Sequence, residues 1–161
     1  MGFRGINRLS LMLEQTNVLI GENAWGKSSL LDALTLLLAP GDNLYHFTRD
    51  DFWFPPGDLH GREHHLHIIL TFRETEPGRH NGRRYRHLAP VWDNGQDGYA
   101  RIHYRLEGEL ADDGAVMTLR SFLDNRGEAL ELEAIDDLAA HLIRLSPVLR
   151  LRDARFMQRI R

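Results

Sequence analysis

The residues from Gly21 to Ser28 have the types and the spacing that bind a chain of phosphates. The run Gly-Glu-Asn-Ala-Trp-Gly-Lys-Ser fits the pattern Gly, any four residues, Gly, Lys, then Ser or Thr. Gly21 and Gly26 allow backbone conformations that turn successive N–H groups towards phosphate oxygens. Lys27 supplies a positive charge for the β and γ phosphates, and Ser28 supplies a hydroxyl for Mg²⁺. The sequence therefore predicts binding of ATP or a close relative, together with Mg²⁺.

Two predicted strands and one predicted helix position this loop. Alternating leucines within residues 9–13 predict a strand. The short apolar run 17–20 predicts a second, buried strand that leads directly into Gly21. From Lys27 onwards leucines recur at helical spacing until a Pro-Gly pair at 40–41. This pattern predicts a helix whose positive dipole end faces the phosphates.

The chain after residue 61 has the periodicity of an antiparallel sheet followed by a helix. Three segments between about 64 and 124 alternate apolar and polar residues and are separated by Gly- and Asp-rich turns, which predicts an antiparallel meander. The residues predicted to share a face within each segment are Leu66, Ile68, Leu70 and Phe72; Ile102, Tyr104 and Leu106; and Met117, Leu119 and Leu123. Helical spacing returns at about 132–145, and residues 148–152 predict a last strand.

Composition limits the classes of function. The chain has 161 residues and a net charge of −3, which suits one compact domain without an overall basic field for nucleic acid. It contains no cysteine, which excludes disulfides, zinc–cysteine sites and thiol catalysis. No apolar run approaches the ~20 residues of a membrane span, and no signal-peptide pattern is present. We therefore expect a cytoplasmic chain with no membrane partner.

The residues around the phosphate loop resemble a known family. The start Gly2-Phe3-Arg4-Gly5-Ile6, a strand, and then Asn-Val-Leu-Ile running into Gly-Glu-Asn-Ala-Trp-Gly-Lys-Ser-Ser is similar to the start of the SMC/RecF-like ABC ATPases. Within that group, the aromatic run 50–57 and the stretch 148–155 resemble one branch of the OLD (overcoming lysogenization defect) family of ATP-dependent endonucleases. The resemblance covers essentially the whole chain.

The resemblance implies an α/β fold: the N-terminal portion of a P-loop NTPase lobe of the ABC type, with an antiparallel β subdomain. Residues 1–161 would then form a single partial ATPase domain. It implies ATP and Mg²⁺ as cofactors, DNA as a partner of the full-length protein, and a homodimer formed around ATP. It also places the ABC signature, the Walker B acid and a TOPRIM nuclease domain outside this chain.

The predicted nucleotide site combines the loop, the serine after it and, by resemblance, one arginine. Its residues are Gly21, Glu22, Asn23, Ala24, Trp25, Gly26, Lys27, Ser28, Ser29 and Arg4, with Ser28 as the predicted Mg²⁺ ligand. Many relatives have Gly or Asn where this loop has Ala24. Two roles have alternatives. The side chain of Trp25 either covers the nucleotide or packs on a neighbour, and Arg4 either approaches the nucleotide or is a surface arginine on an edge strand.

Other polar clusters have both a functional and a structural interpretation. His65 and His67 fall on the polar face of a predicted strand, and a solvated face is favoured over a metal site. The basic stretch 79–87, arranged around Tyr85, is the kind of surface that holds nucleic acid, although charge-rich turns are commonly only solvated. The arginines within 150–161 either contact DNA or cap a partner segment.

The sequence contains no convincing catalytic acid. A Walker B strand would have four apolar residues followed by Asp, whereas Asp124 and Asp153 follow segments that are not continuously apolar. We therefore expect this chain to bind ATP without hydrolysing it or cutting DNA. The leading hypothesis is the ATP-binding segment of an OLD-family ATP-dependent endonuclease. The alternatives are a non-nuclease ABC ATPase (a DNA clamp or repair factor), an inactive nucleotide-binding fragment, and a small-molecule kinase, which the meander disfavours.

Overall fold

The computed structural model describes residues 2–22, 26–41, 43–54 and 64–148 of the chain. These ranges contain helices α1 (Lys27–Leu37) and α2 (Ile135–Leu145) and three 3-10 helices, at Arg49–Asp51, Arg79–Asn81 and Arg83–Val91. They also contain six strands: β1 (Gly2–Phe3), β2 (Phe52–Trp53), β3 (His64–Arg73), β4 (Asp93–Asn94), β5 (Ala100–Leu110) and β6 (Val116–Leu123). Strands β1 and β2 pair antiparallel with each other, apart from the main sheet.

The main sheet is antiparallel and has β5 at its centre. β3 pairs with β5 from His64 opposite Leu110 to Arg73 opposite Arg101. On the other side of β5 lie β6 and, beside its first residues, the short β4. A tight turn at 111–115 joins β5 to β6 and is closed by a 2.9 Å hydrogen bond between backbone groups. The three long strands form the meander that the alternation predicted, with two 3-10 helices and β4 inserted between β3 and β5.

One face of this sheet carries the core. On β5, Ile102, Tyr104 and Leu106 are each at most 1% exposed. On β3 the even-numbered residues 64–72 face the same side, while His65 and His67 are exposed, so the predicted registers of β3 and β5 are correct. Helix α2 joins the same core through its buried residues Ala139, Leu142 and Ile143.

Met117, Leu119 and Leu123 share one face of β6, as predicted, but that face is not the core side of the sheet. Met117 and Leu119 are 51% and 42% exposed, whereas Phe122 is 0% exposed. Pairing with β5 places Phe122 opposite Tyr104, on the core side of the sheet. Leu123 is also buried, at 3% exposure, but like Met117 and Leu119 it lies on the face opposite that of Phe122.

Two polar residues lie beside Phe122 on the core side of β6. The Thr118 hydroxyl accepts a 2.8 Å hydrogen bond from the backbone N–H of Phe47. The Arg120 side chain is 5% exposed and donates to the backbone carbonyl of Tyr45. Buried polar groups need such partners, and here the partners come from the segment 43–54. Because Thr118 and Arg120 look like surface residues in the sequence, they conceal the apolar face of β6.

Residues 7–22 contain no strand, so both strands predicted before the phosphate loop are wrong. The apolar side chains that predicted them are exposed by 53%, 48%, 50%, 77% and 91% at Leu9, Leu11, Leu13, Val18 and Ile20. A strand needs a neighbouring strand to satisfy its backbone N–H and C=O groups. None of the described strands pairs with this segment. Helix α1 makes its own backbone hydrogen bonds, and it begins at Lys27 as predicted.

The last predicted elements are only partly within the described residues. Helix α2 begins at Ile135, with Asp136 and Asp137 in its first turn, where the helix dipole favours negative charge. Val148 is not in a strand, and its N–H donates to the carbonyl of Leu38 at 3.0 Å. The rest of the predicted strand 148–152 and the arginines within 150–161 lie outside the described residues. Neither α1 nor α2 has the length and apolar character that crossing a membrane requires.

Candidate nucleotide-binding site

The turn into α1 has the geometry of an anion site at a helix N-terminus. Gly26 precedes the helix with φ of +81°, a left-handed conformation that glycine adopts without strain. As the N-cap residue it has no side chain to bond the first N–H groups of the helix, which lack intrahelical partners. Free N–H groups and a positive dipole end together form a site for phosphate.

The amine of Lys27 folds back over the start of the loop. Its Nζ donates to the backbone carbonyls of Gly21 and Glu22, both at 2.5 Å. These acceptors are neutral, and none of the ion pairs among the described residues includes Lys27. Lys27 is also the only lysine in the sequence, since every other strongly basic residue is arginine. A compact ammonium charge without an acidic partner is thus held at the mouth of the loop.

The structure describes some of the remaining predicted site residues and not others. Asn23, Ala24 and Trp25 lie outside the described residues, so both interpretations of Trp25 stay predictions. Ser28, the predicted Mg²⁺ ligand, is exposed. The Ser29 hydroxyl donates to the backbone carbonyl of Arg4 at 2.7 Å, which ties the end of the loop to the N-terminal turn.

Arg4 is a connecting residue and not a free arginine on an edge strand. Its Nε donates to Asp51 Oδ1 at 2.8 Å, and its Nη1 to Asp32 Oδ2 on α1 at 3.4 Å. Partial burial alone would lower the pKa of Arg4, but the hydrogen bond and the charge of Asp51 raise it. Arg4 has φ of +44°, the one positive value among the described non-glycine residues. Such strain persists only where surrounding contacts fix it.

Asp51 is the buried centre of these contacts. It is 0% exposed, and its Oδ2 accepts hydrogen bonds from the Tyr45 hydroxyl at 2.6 Å and the Thr48 N–H at 2.8 Å. Burial and the hydrogen bond to Asp51 raise the pKa of Tyr45 to about 12, so the phenol remains a neutral donor. This role was not predicted from the sequence, although the capping-box spacing of Thr48 and Asp51 indicates it.

The contacts of His65 and Asp124 indicate structural roles for these two residues. His65 approaches Glu109 at 3.6 Å on the exposed face, and the described residues contain no group of three or more metal-binding side chains. Asp124 accepts hydrogen bonds from the backbone N–H groups of Glu128 and Arg126, which lower the pKa of this carboxyl. Because its carboxylate closes a turn, Asp124 is not placed to order a hydrolytic water.

Comparisons with known proteins give the family. The whole chain, residues 1–161, matches the family described as "Protein of unknown function (DUF2813)". The chain belongs to the DUF2813 family. It is 75% identical over 161 residues to a protein of Escherichia coli (strain K12) named "Uncharacterized protein YbjD", and it spans 29% of the length of that relative. The name of this relative agrees with the YbjD-type branch expected from the sequence, and it states no activity. No solved structure matches the chain.

Proposed function

We propose that this chain is the ATP-binding segment of an OLD-type ATP-dependent endonuclease and forms the first part of an ABC-type P-loop ATPase lobe. The observation that carries the proposal is the position of Lys27. It is the first residue of α1, directly after a glycine with positive φ, and its Nζ closes over the carbonyls of Gly21 and Glu22. Phosphate groups offer this amine anionic acceptors, which form stronger hydrogen bonds than neutral carbonyls do.

The residues present fit a nucleotide with Mg²⁺. Lys27 has a charge that no acid among the described residues neutralises, and the N-terminus of α1 has free N–H groups. The exposed Ser28 hydroxyl is the group that would hold Mg²⁺, and the ion would there supply positive charge to the phosphate groups. Arg4 and Ser29 would hold the N-terminal turn against the same helix during binding.

Hydrolysis and DNA cleavage would depend on the rest of the full-length protein. Within this chain, Asp51 is buried in hydrogen bonds and Asp124 closes a turn, so neither carboxylate is free to act on water. The chain spans 29% of its E. coli relative, which leaves room for a signature motif, a Walker B acid and a TOPRIM domain. The proposal also accounts for the exposed apolar side chains within 9–20, because strands of an incomplete lobe would lack their neighbours. A homodimer around ATP, acting on DNA, belongs to the same proposal.

Replacing Lys27 tests nucleotide binding. Lys27→Ala should weaken Mg-ATP binding by about 1.5–3 kcal/mol, the contribution of a hydrogen bond to a charged group. Calorimetric titration measures this loss, with Arg8→Ala as a control that removes one positive charge from an exposed neighbouring segment. Equal affinities of wild-type protein and Lys27→Ala would contradict the proposed site.

A second assay separates the nuclease from a non-nuclease clamp or repair ATPase. The intact protein is incubated with DNA and Mg²⁺ or Mn²⁺, with and without ATP, beside Lys27→Ala. ATP-dependent cutting that disappears in the variant would support the endonuclease. ATP binding and hydrolysis without any cutting would favour the clamp.

A further inference from the structure

The 3-10 helix Arg83–Val91 is anchored to the core along one of its faces. A 3-10 helix has about three residues per turn, so residues three apart lie on the same face. Tyr85, Leu88 and Val91 follow this spacing, and the last two are each 1% exposed. The Tyr85 ring packs edge-on against Trp92, with ring centroids 6.1 Å apart. The helix is therefore a fixed part of the domain and not a loosely solvated turn.

Arginines lie on both of its other faces. By the same spacing Arg83 and Arg86 share one face, and Arg84 and His87 share the next; all four residues are exposed. The rise of the helix separates Arg83 and Arg86 by about 6 Å along its axis. None of the ion pairs in the described parts of the chain includes Arg83, Arg84 or Arg86. These guanidinium groups thus belong to a helix that is fixed to the core, and they form no ion pair within the described parts of the chain.

The face of Arg86 borders an open concavity of about 250 Å³. Its lining residues are His80, Asn81, Arg86, Ala89, Trp92 and Asn94, and none of them is acidic. The neighbouring Glu74 does not oppose an anion there, because the residue is only 6% exposed and its carboxylate accepts hydrogen bonds from the His80 ring and from backbone N–H groups. The volume is below the ~300–1,000 Å³ of pockets that enclose a whole small ligand. It suits a single unit of a polymer whose remainder lies outside.

We propose that this concavity and the arginine faces of helix 83–91 bind the phosphodiester backbone of a single nucleic-acid strand. One phosphate would bind at Arg86 and the amide side chains of Asn81 and Asn94, and its neighbours would meet Arg83 and Arg84. This inference rests on the proposed function, since it gives the full-length protein's DNA partner a place on this chain.

Charge distribution favours a nucleic acid over an acidic protein. The net charge of the chain is −3, yet residues 77–92 contain four arginines, Arg79, Arg83, Arg84 and Arg86, and no aspartate or glutamate. A nucleic-acid strand has one charge at every unit, which matches arginines closely spaced on a rigid helix. Guanidinium groups pair with phosphate oxygens through two parallel hydrogen bonds. An acidic peptide would instead have to order long, flexible side chains to make the same contacts.

Paired charge variants of the intact protein test the proposal. Fluorescence anisotropy with a labelled single-stranded oligonucleotide compares Arg83→Gln/Arg86→Gln with Arg126→Gln/Arg144→Gln, which removes the same charge from two exposed arginines elsewhere. The first pair should lower affinity at least about tenfold, as expected for lost charged hydrogen bonds. It should also reduce the slope of log affinity against log salt by about 1.4, which is ~0.7 for each lost phosphate contact. The control pair should change both quantities much less.

Three outcomes would overturn the proposal. Equal losses of oligonucleotide affinity in both pairs of variants would show that binding responds to the net charge of the protein alone. An unchanged affinity and salt slope in the first pair would exclude this surface. Displacement of the oligonucleotide by poly-glutamate at equal charge concentration would assign the surface to an acidic polypeptide. Mg-ATP titration of wild-type protein and Lys27→Ala tests the phosphate loop separately, so a failure of either idea is recognised independently of the other.

Discussion

The main sheet and the segment 7–22 place apolar side chains in opposite environments. In the sheet, Ile102 and Phe122 are 0% exposed. In the segment before the phosphate loop, Val18 and Ile20 are 77% and 91% exposed. Both regions are rich in residues that favour strands, so hydrophobicity alone does not explain the difference.

The difference lies in whether each region has a neighbouring strand with which its backbone can pair. β6 follows β5 after the turn 111–115 and pairs with it at once. No described strand pairs with residues 7–22, whose backbone therefore has no ladder to join. Burial of an apolar strand requires a backbone partner first, because unpaired N–H and C=O groups are costly to remove from water. Three substitutions can sharpen or break this comparison.

The largest effect is expected at the centre of the sheet. Phe122→Ala should lower the free energy of unfolding by about 3–5 kcal/mol, because it leaves a cavity beside Tyr104. Leu119→Ala, on the exposed face of the same strand, should change it by at most about 0.5 kcal/mol. Denaturant unfolding of both variants measures the contrast. A larger loss of unfolding free energy in Leu119→Ala than in Phe122→Ala would show that Leu119, and not Phe122, faces the core.

An intermediate effect is expected where β3 connects to the 3-10 helices. Glu74 accepts hydrogen bonds from the backbone N–H groups of Ala100, His80 and Gly78. Burial alone would raise the pKa of Glu74, but these donors lower it from 4.5 to about 2. Its stabilising contribution should be complete above pH 4.5 and be lost as the pH falls towards 2, since the unfolded chain binds the proton first.

The variant Glu74→Gln isolates this contribution. At neutral pH its free energy of unfolding should be about 1–3 kcal/mol lower than that of wild type, because one carboxylate oxygen no longer accepts hydrogen bonds. The difference in the free energy of unfolding between wild type and Glu74→Gln should become smaller as the pH falls. Urea unfolding midpoints of both proteins, taken between neutral pH and pH 2, measure this difference. Glu76→Gln, an exposed neighbour, serves as the control. A gap that stays constant with pH would show that Glu74 does not titrate in this way.

The smallest effect is expected in the segment before the loop. Ile20→Ala should change the free energy of unfolding by no more than about 0.5 kcal/mol, because the side chain is 91% exposed. The same denaturation experiment measures it. A loss above about 2 kcal/mol would show that Ile20 is buried in solution, as the strand predicted from the sequence requires.

Local periodicity explains what could be predicted from the sequence. Helix α1, the three long strands and the core faces of β3 and β5 follow from residues close together in the chain. The phosphate-loop pattern likewise fixed which residue begins the helix, Lys27. Whether that loop binds ATP stays a prediction.

Long-range polar contacts explain what could not be predicted. Arg4 and Asp51 are 47 residues apart, and Thr118 and Phe47 are 71 apart, so no spacing rule connects them. Both contacts bring a polar side chain into the interior, although the sequence pattern predicts a surface position for it. The same reason hid the core face of β6 and the role of Asp51 beside the candidate site.

Gly108, on the core face of β5, links the sheet to the segment that carries Asp51. A Cβ atom at this position would lie 2.8 Å from the Phe47 ring and 3.1 Å from that of Phe52. These rings therefore rest directly on the backbone of the central strand, without a side chain between them. Volume at positions 47 and 108 is shared, so a larger residue at one requires a smaller residue at the other. In evolutionary terms the two positions should covary, although 61 residues of sequence separate them.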